Sequence, residues 1–151
     1  VFDHPANLFV AGFIGTPQMN FFDALLAEDN GTYSLRLGES VISLPEQTQR
    51  ALRDRKAPAG QIALGIRPEH MQLTTQDDAA AVPARVDVSE MMGSELYVHV
   101  EAVGKDCVIR ISTTELPAEH KHGFAIGDAV HFTFDGALAH LFDPKSGLNL
   151  L

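Results

Sequence analysis

The chain has 151 residues, 45% of them hydrophobic, and its 11 basic and 20 acidic side chains leave a net charge of −9. A domain of this size buries roughly 70% of the surface that its unfolded chain exposes, and its single cysteine, Cys107, excludes an internal disulfide and a four-ligand cysteine-rich zinc centre. The acidic balance gives no counterion-release contribution to general nucleic-acid binding, and no apolar run approaches the roughly 20 residues of a membrane-spanning helix, so a soluble protein is expected.

In chain order, Asp3 to Gly15 carry a capping Asp, Pro5 in the first turn and a terminating Gly, which predicts a short helix. Its Phe9/Phe13 and Val10/Ile14 pairs at i,i+4 spread apolar surface almost around the axis, so it needs cover on more than one side. The chain opens on Val1 rather than Met, in mid-pattern, which suggests a piece of a longer protein.

From Thr16 the period switches to two. Tyr33-Leu35-Leu37, Ile62-Leu64-Ile66, Ala84-Val86-Val88, Leu96-Val98-Val100, Cys107-Ile109-Ile111 and Val130-Phe132-Phe134 alternate with polar or smaller neighbours and predict half-buried strands. Turn signals separate them: Asn30-Gly31, Gly38-Glu39, Met92-Gly93-Ser94, Gly104-Lys105-Asp106 and Asp135-Gly136. Asn-Gly and Asp-Gly supply the positive φ of tight hairpins. Glu46 to Lys56 is helical in pattern but mostly polar, and is expected to be a solvated excursion. Residues 74–83 form a polar, then small-residue bridge between two β-rich halves. About ten short strands without interleaved helices predict a mainly β protein, an antiparallel barrel or sandwich.

Chemistry-bearing motifs are sparse. No Gly-x-x-x-x-Gly-Lys-Ser/Thr phosphate loop, Gly-x-Ser-x-Gly elbow or His-Glu-x-x-His pair occurs. His120 and His122 would share a side if extended and could then share a metal, but no third ligand is identifiable and the reading is an exposed loop. Cys107 alternates with Ile109 and Ile111, as a small buried hydrophobe does. Arg67-Pro68-Glu69-His70 ends a strand; Arg67 could bind an anion, or pair with Glu69 in a turn that Pro68 favours. Asp87, Glu90, Glu95, Glu101 and Asp106 read as the wet face of a sheet, and Met91 and Met92 as adaptable core or interface filler.

Three stretches in order resemble the ATPase subunits of sugar-importing ABC transporters of the maltose and glycerol-phosphate type, in their C-terminal regulatory half. Phe2 to Phe21, with Phe9, Phe13, Gly15, Pro17, Met19 and Asn20, resembles the junction where the ATPase domain's last helix hands over to the regulatory domain. Leu64 to His70, with Arg67, Pro68 and Glu69, resembles the strand and turn that enter the transport-associated OB-type module. His140 to Gly147, with Phe142 and Asp143, resembles its closing strand and turn; Glu90 to Glu95, centred on Gly93, sits where a Leu-Gly-Ser/Asn-Glu hairpin is usual, Met92 replacing the Leu.

The resemblance implies OB-like barrels over 16–151, with a module core near 62–144, and a terminal ATPase-domain helix and junction over 1–15. It implies no catalysis and no cofactor here, ATP and Mg belonging to the parent subunit. Implied partners are a second copy, the ATPase domain of the same chain, the permease subunits indirectly and a possible regulatory protein, on the inner face of the plasma membrane. The motif residues read as structural. An alternative, a small-solute or oxyanion binding module, needs donors such as Arg67 and Arg110 in one pocket. An OB-type oligonucleotide binder needs a basic, aromatic strand face, which two tyrosines, no tryptophan and an acidic excess do not supply.

Overall fold

The structure, a computed structural model, describes residues 18–151; the helix expected near the start, with Phe9, Phe13, Gly15 and Pro17, lies outside the described residues. Ten strands follow: β1 (Asn20–Asp29), β2 (Thr32–Leu37), β3 (Ser40–Ile42), β4 (Gly60–Ile66), β5 (Gln72–Thr74), β6 (Val82–Met92), β7 (Glu95–Ala102), β8 (Lys105–Ser112), β9 (Ala129–Thr133) and β10 (His140–Phe142). One helix, α1 (Glu46–Asp54), lies between β3 and β4. All pairings are antiparallel, in two five-stranded sheets ordered β10-β4-β1-β2-β3 and β5-β9-β6-β7-β8.

Period-two burial builds the core. Phe22, Ala24 and Leu26 of β1, Tyr33, Leu35 and Leu37 of β2 and Ile62, Leu64 and Ile66 of β4 share one apolar cluster with Val98, Val100, Ile109 and Phe132 of the second sheet. The Phe22 and Phe132 rings, one from each sheet, meet with centroids 6.0 Å apart. The last strand does not stay with its sequence neighbours. Leu141 pairs with Leu64, so β10 returns to the first sheet and the two halves of the sequence are interlocked.

Two amide side chains end sheet edges in the same way. β3 pairs with β2 only from Leu35 to Leu37, leaving the edge at Tyr33 without a strand. Gln49 of α1 fills it: the Tyr33 N–H donates to Gln49 Oε1 and Gln49 Nε2 donates to the Tyr33 carbonyl, each at 2.6 Å. Tyr33 OH donates to the Ala57 carbonyl at 2.7 Å, and burial, with Glu28 nearby, holds the phenol above its ordinary pKa. This corrects the solvated reading of α1: Thr48, Gln49 and Leu52 are buried on one stripe, while Arg53 reaches Glu46 in solvent.

Turn chemistry is right at Asn30-Gly31, where φ of 52° and 82° gives the paired left-handed conformation of a two-residue hairpin. It is displaced between β7 and β8, whose loop is Val103-Gly104, with φ of 51° at Val103. A β-branched residue in that region carries strain of about 1–2 kcal/mol. Val103 is 40% exposed, so little packing offsets the strain. Val103→Asn is expected to raise stability by about 1 kcal/mol; urea unfolding that shows no gain would mean that the loop relaxes without strain.

A third turn differs in kind. Asp135-Gly136 is not a hairpin tip: Asp135 caps a 3₁₀ turn over Gly136–Leu138, its carboxylate accepting from the Ala137 N–H at 2.9 Å, and Gly136 has no positive φ. In β6 the period breaks at a bulge between Val86 and Val88, which turns Val88 out of the core to 45% exposure. The alternation read through Ala84-Val86-Val88 therefore holds only to Val86.

Candidate functional site

Of the described motif residues, Asn20 sits at the seam where the two sheets meet. β2 pairs with β1 only from Leu25 onward, so the first half of β1 has no strand on that side. β8 occupies the place, but the junction is made by a side chain. Asn20 Nδ2 donates to the Val108 carbonyl at 2.8 Å and the Val108 N–H donates to Asn20 Oδ1 at 2.9 Å. The amide thus stands in for one residue of a missing ladder. Lys105 of β8 reaches Asp23 of β1 at 3.5 Å along the same seam, an exposed pair of small energetic weight.

Met19 packs beside Phe142, with Phe21 and Ala63 on the same patch, and the Phe21 and Phe142 rings meet edge-on at 6.4 Å. Gly65 makes room for them: a methyl there would meet Met19 Sδ at 2.5 Å and the Phe142 ring at 3.3 Å. Asp143 closes the chain's last turn. Its carboxylate accepts from the Lys145 N–H at 2.8 Å, which holds its pKa below the ordinary carboxylate value.

The Arg67 turn has the expected form. Arg67 is extended, Pro68 opens a 3₁₀ turn, and the His70 N–H donates to the Arg67 carbonyl at 2.9 Å. Arg67 is buried at 2% exposure, whereas Glu69 is exposed. Arg67 and His140 share a cleft with α1, but Arg110 is not among its lining residues. Arg110 instead forms a two-pronged pair with Glu95 across β7 and β8, Nη2 to Oε1 at 2.8 Å. The pairing of Arg67 with Arg110 in one anion pocket is therefore corrected.

Cys107 is 4% exposed, and burial, with Asp106 and Asp87 nearby, pushes its thiol up to about 12, the opposite of an activated nucleophile. His120 stacks on Phe124 at 4.1 Å and His122 is exposed; among the described residues no group of three or more ligating side chains is close enough to hold a metal. No described helix is long and apolar enough to cross a membrane.

Gly93 lies elsewhere, at the tip of the β6–β7 hairpin, with φ of 65° where a two-residue loop opened by glycine requires it. This hairpin carries the most concentrated exposed apolar surface on one strand: Val88, Met91 and Met92, at 45%, 47% and 52% exposure. Around them stand Asp87, Glu90, Glu95 and Glu101, of which Glu90 meets His99 at 2.6 Å and Glu95 meets Arg110. The acidic run is thus partly paired, and along β6 exposed apolar side chains are interspersed with it, so it is not a uniform wet face.

Sequence reasoning missed Gln49, Val88 and Gly65. Gln49 could have been found from its position three residues before Leu52, on the one apolar stripe of α1. Nothing local marks the bulge or the Met19–Gly65 approach.

Comparison with known proteins agrees with this architecture. The TOBE domain model matches residues 64–142 and the MalK OB fold domain model matches residues 15–71. Their overlap, 64–71, holds the end of β4 and the Arg67 turn. The chain is similar to the ABC transporter ATP-binding protein y4oS of Sinorhizobium fredii, 37% identical over 99% of this chain and 36% of that protein. It is also similar to the sn-glycerol-3-phosphate import ATP-binding protein UgpC of Yersinia pestis, 33% identical over 99% of this chain and 38% of that protein. The oligosaccharides import ATP-binding protein MsmX of Bacillus subtilis is 28% identical, with 99% and 39% covered. The chain thus spans somewhat more than a third of the length of these relatives. A solved molybdate-bound structure of the cytoplasmic molybdate-binding protein ModG has a TM-score of 0.58 at 15% identity, covering 83% of this chain and 96% of that one, a likeness of fold.

Proposed function

This chain belongs to the TOBE-domain family, joined here to a MalK-type OB fold, and on that premise we propose that it is the non-catalytic regulatory and dimerisation domain of the ATP-binding subunit of an ABC importer for sugars or related solutes. ATP and Mg are bound by the ATPase half of the parent subunit, which works with permease subunits at the inner face of the plasma membrane. The domain tethers two such subunits and offers a surface to a regulatory protein.

The observation that carries this reading is the β6–β7 hairpin, where Val88, Met91 and Met92 stand exposed on one strand. Exposed apolar residues grouped on one hairpin mark an interaction surface, and methionine adapts to a partner's shape. The acidic rim sets partner choice more than affinity. Tethering fits the task physically. Two ATPase domains held by a connected pair see one another at an effective concentration of the order of millimolar, so reclosure does not wait on diffusion.

Sedimentation velocity over a concentration series tests this. The chain is expected to self-associate, and to do so more tightly as salt rises, because two chains of −9 repel and the Debye length shrinks from about 30 Å at 0.01 M to about 8 Å at 0.15 M. Replacing both Met91 and Met92 by Glu is expected to weaken association by about tenfold or more. A monomer at every concentration and salt, or ATP hydrolysis by the chain alone, overturns the reading.

A further inference from the structure

We infer that the tip of the β1–β2 hairpin is a site of spontaneous covalent modification, at which Asn30 passes through a succinimide to isoaspartate and aspartate. The Gly31 backbone nitrogen attacks the Asn30 side-chain carbonyl carbon and gives up its proton; the bond from that carbon to the side-chain nitrogen breaks and ammonia leaves. Water, the only co-reactant, then opens the imide. Opening at the side-chain carbonyl gives aspartate, and opening at the backbone carbonyl gives isoaspartate, whose peptide bond runs through the side chain.

Of the four asparagines only Asn30 precedes glycine, so only there does the attacking nitrogen have no side chain beside it. Asn30 is exposed, and a methyl on Gly31 would meet nothing within 4 Å, so the tip has room for the tetrahedral intermediate. The backbone is already part of the way there. With φ of 52° and 82° the turn is of type I′. Turning the Asn30–Gly31 peptide plane over gives type II′, whose first central residue keeps its positive φ and takes ψ of about −120°. That ψ presents the following nitrogen to the residue's own side-chain carbon, and Gly31 accepts the change in the sign of its φ for want of a Cβ. The flanks stay where they are: Asp29 and Thr32 remain the first rung of the ladder, and Arg53 Nη1 holds the Gly31 carbonyl, outside the plane that turns, at 3.1 Å.

Asp135-Gly136 would cyclise by the same route with loss of water, but its surroundings forbid it. The Asp135 carboxylate accepts from the Ala137 N–H at 2.9 Å, and Gly136 is packed so closely on the Ser43 carbonyl that its peptide plane has no room to turn. The consequence at Asn30 is structural. Isoaspartate adds a methylene to the backbone of a two-residue loop, so the Asp29–Thr32 rung no longer closes in register. The next residue, Tyr33, is the one whose backbone seats Gln49 of α1, so the damage reaches the helix.

The experiment ages the folded 151-residue chain in mildly alkaline buffer at physiological temperature, beside a free peptide of the sequence Glu28–Tyr33. Peptide mass spectrometry, with backbone fragmentation that tells isoaspartate from aspartate, follows both. The folded chain is expected to gain the mass of deamidation at Asn30, at a rate within about tenfold of the free peptide, with isoaspartate among the products and residue 135 unchanged. Asn30→Gly is the paired variant: Gly-Gly forms the same turn and has no side-chain amide to attack. Urea unfolding of aged and fresh samples should show a lower midpoint for the aged parent and no shift for aged Asn30→Gly. The inference is overturned by a folded chain that stays unmodified while the peptide converts, by isoaspartate forming as fast at residue 135, or by an equal loss of stability in aged Asn30→Gly. Because the readout is covalent, the result is independent of self-association.

Discussion

Replacing Gly136 by alanine should destabilise the protein by about 3 kcal/mol or more, one of the largest effects of any single methyl added to this chain. The Cβ would fall on the Ser43 carbonyl oxygen, with the Ser43 carbonyl carbon at 3.2 Å and Leu44 Cα at 3.5 Å. These are backbone atoms of the segment between β3 and α1, and they cannot swing aside as a side-chain terminus can. Gly136 itself follows Asp135 in the turn that delivers the chain to β10. The collision therefore pushes apart two segments whose closeness places β10 on β4 and α1 on the barrel. For a chain of this length such a loss lowers the melting temperature by roughly 10 °C. Gly93→Ala is the control, since nothing lies within 4 Å of the added methyl and only its φ of +65° opposes the change; about 1 kcal/mol is expected there. Equal losses in urea unfolding would show that the Ser43–Leu44 backbone shifts aside at little cost and that lack of space does not govern Gly136.

The same glycine marks the border of what the sequence made readable. Asp-Gly correctly announced a change of direction, because both residues favour turns for local reasons. Whether glycine was there for its φ or for lack of a Cβ depended on Ser43, distant in sequence, and no local pattern carries that. The six alternating runs became strands because a half-buried strand writes its burial into every second residue, as Leu96, Val98 and Val100 do. β3 and β5 have only three residues each, too short to establish a period. The helix was placed within two residues of its ends, but its polar composition hid the side that packs. Gln49 is buried because it serves two backbone groups of Tyr33, and a glutamine so used looks like any surface glutamine until the partner is known.

The candidate site divides in the same manner. Arg67 and His140 stand out from motifs and do line one cleft. Their third element, α1, was not legible as part of a cleft, since Pro45, Gln47 and Thr48 read as an ordinary helix start. Val88 was read as core because a strict period of two runs through it, and the bulge that inverts the period inserts one residue without any local signature. That inversion matters functionally. It converts the end of a core strand into the exposed apolar edge on which the proposed partner contact rests.

Asn20 carries the other large expected effect, and it separates shape from hydrogen bonding. Asn20→Leu keeps a side chain of similar volume at a position of 5% exposure but removes both bonds to Val108. The Val108 N–H and carbonyl are then held at the seam without partners, at about 1–3 kcal/mol for each unsatisfied group; a total loss of about 3 kcal/mol is expected. Asn20→Asp preserves the acceptor for the Val108 N–H but, when ionised, sets a second oxygen against the Val108 carbonyl. Its protonated form restores a donor there, so the introduced carboxyl should titrate above its unfolded value. A group whose folded pKa is raised contributes stability that is fully present below the unfolded pKa, about 3.9 for aspartate, and is lost as pH rises through the folded pKa. The gap between this variant and the parent should therefore narrow on acidification, whereas that of Asn20→Leu should stay constant. Urea unfolding of the three proteins across pH decides it: a gap for Asn20→Asp that does not change with pH would mean that the seam is closed by packing alone, with the amide a passenger.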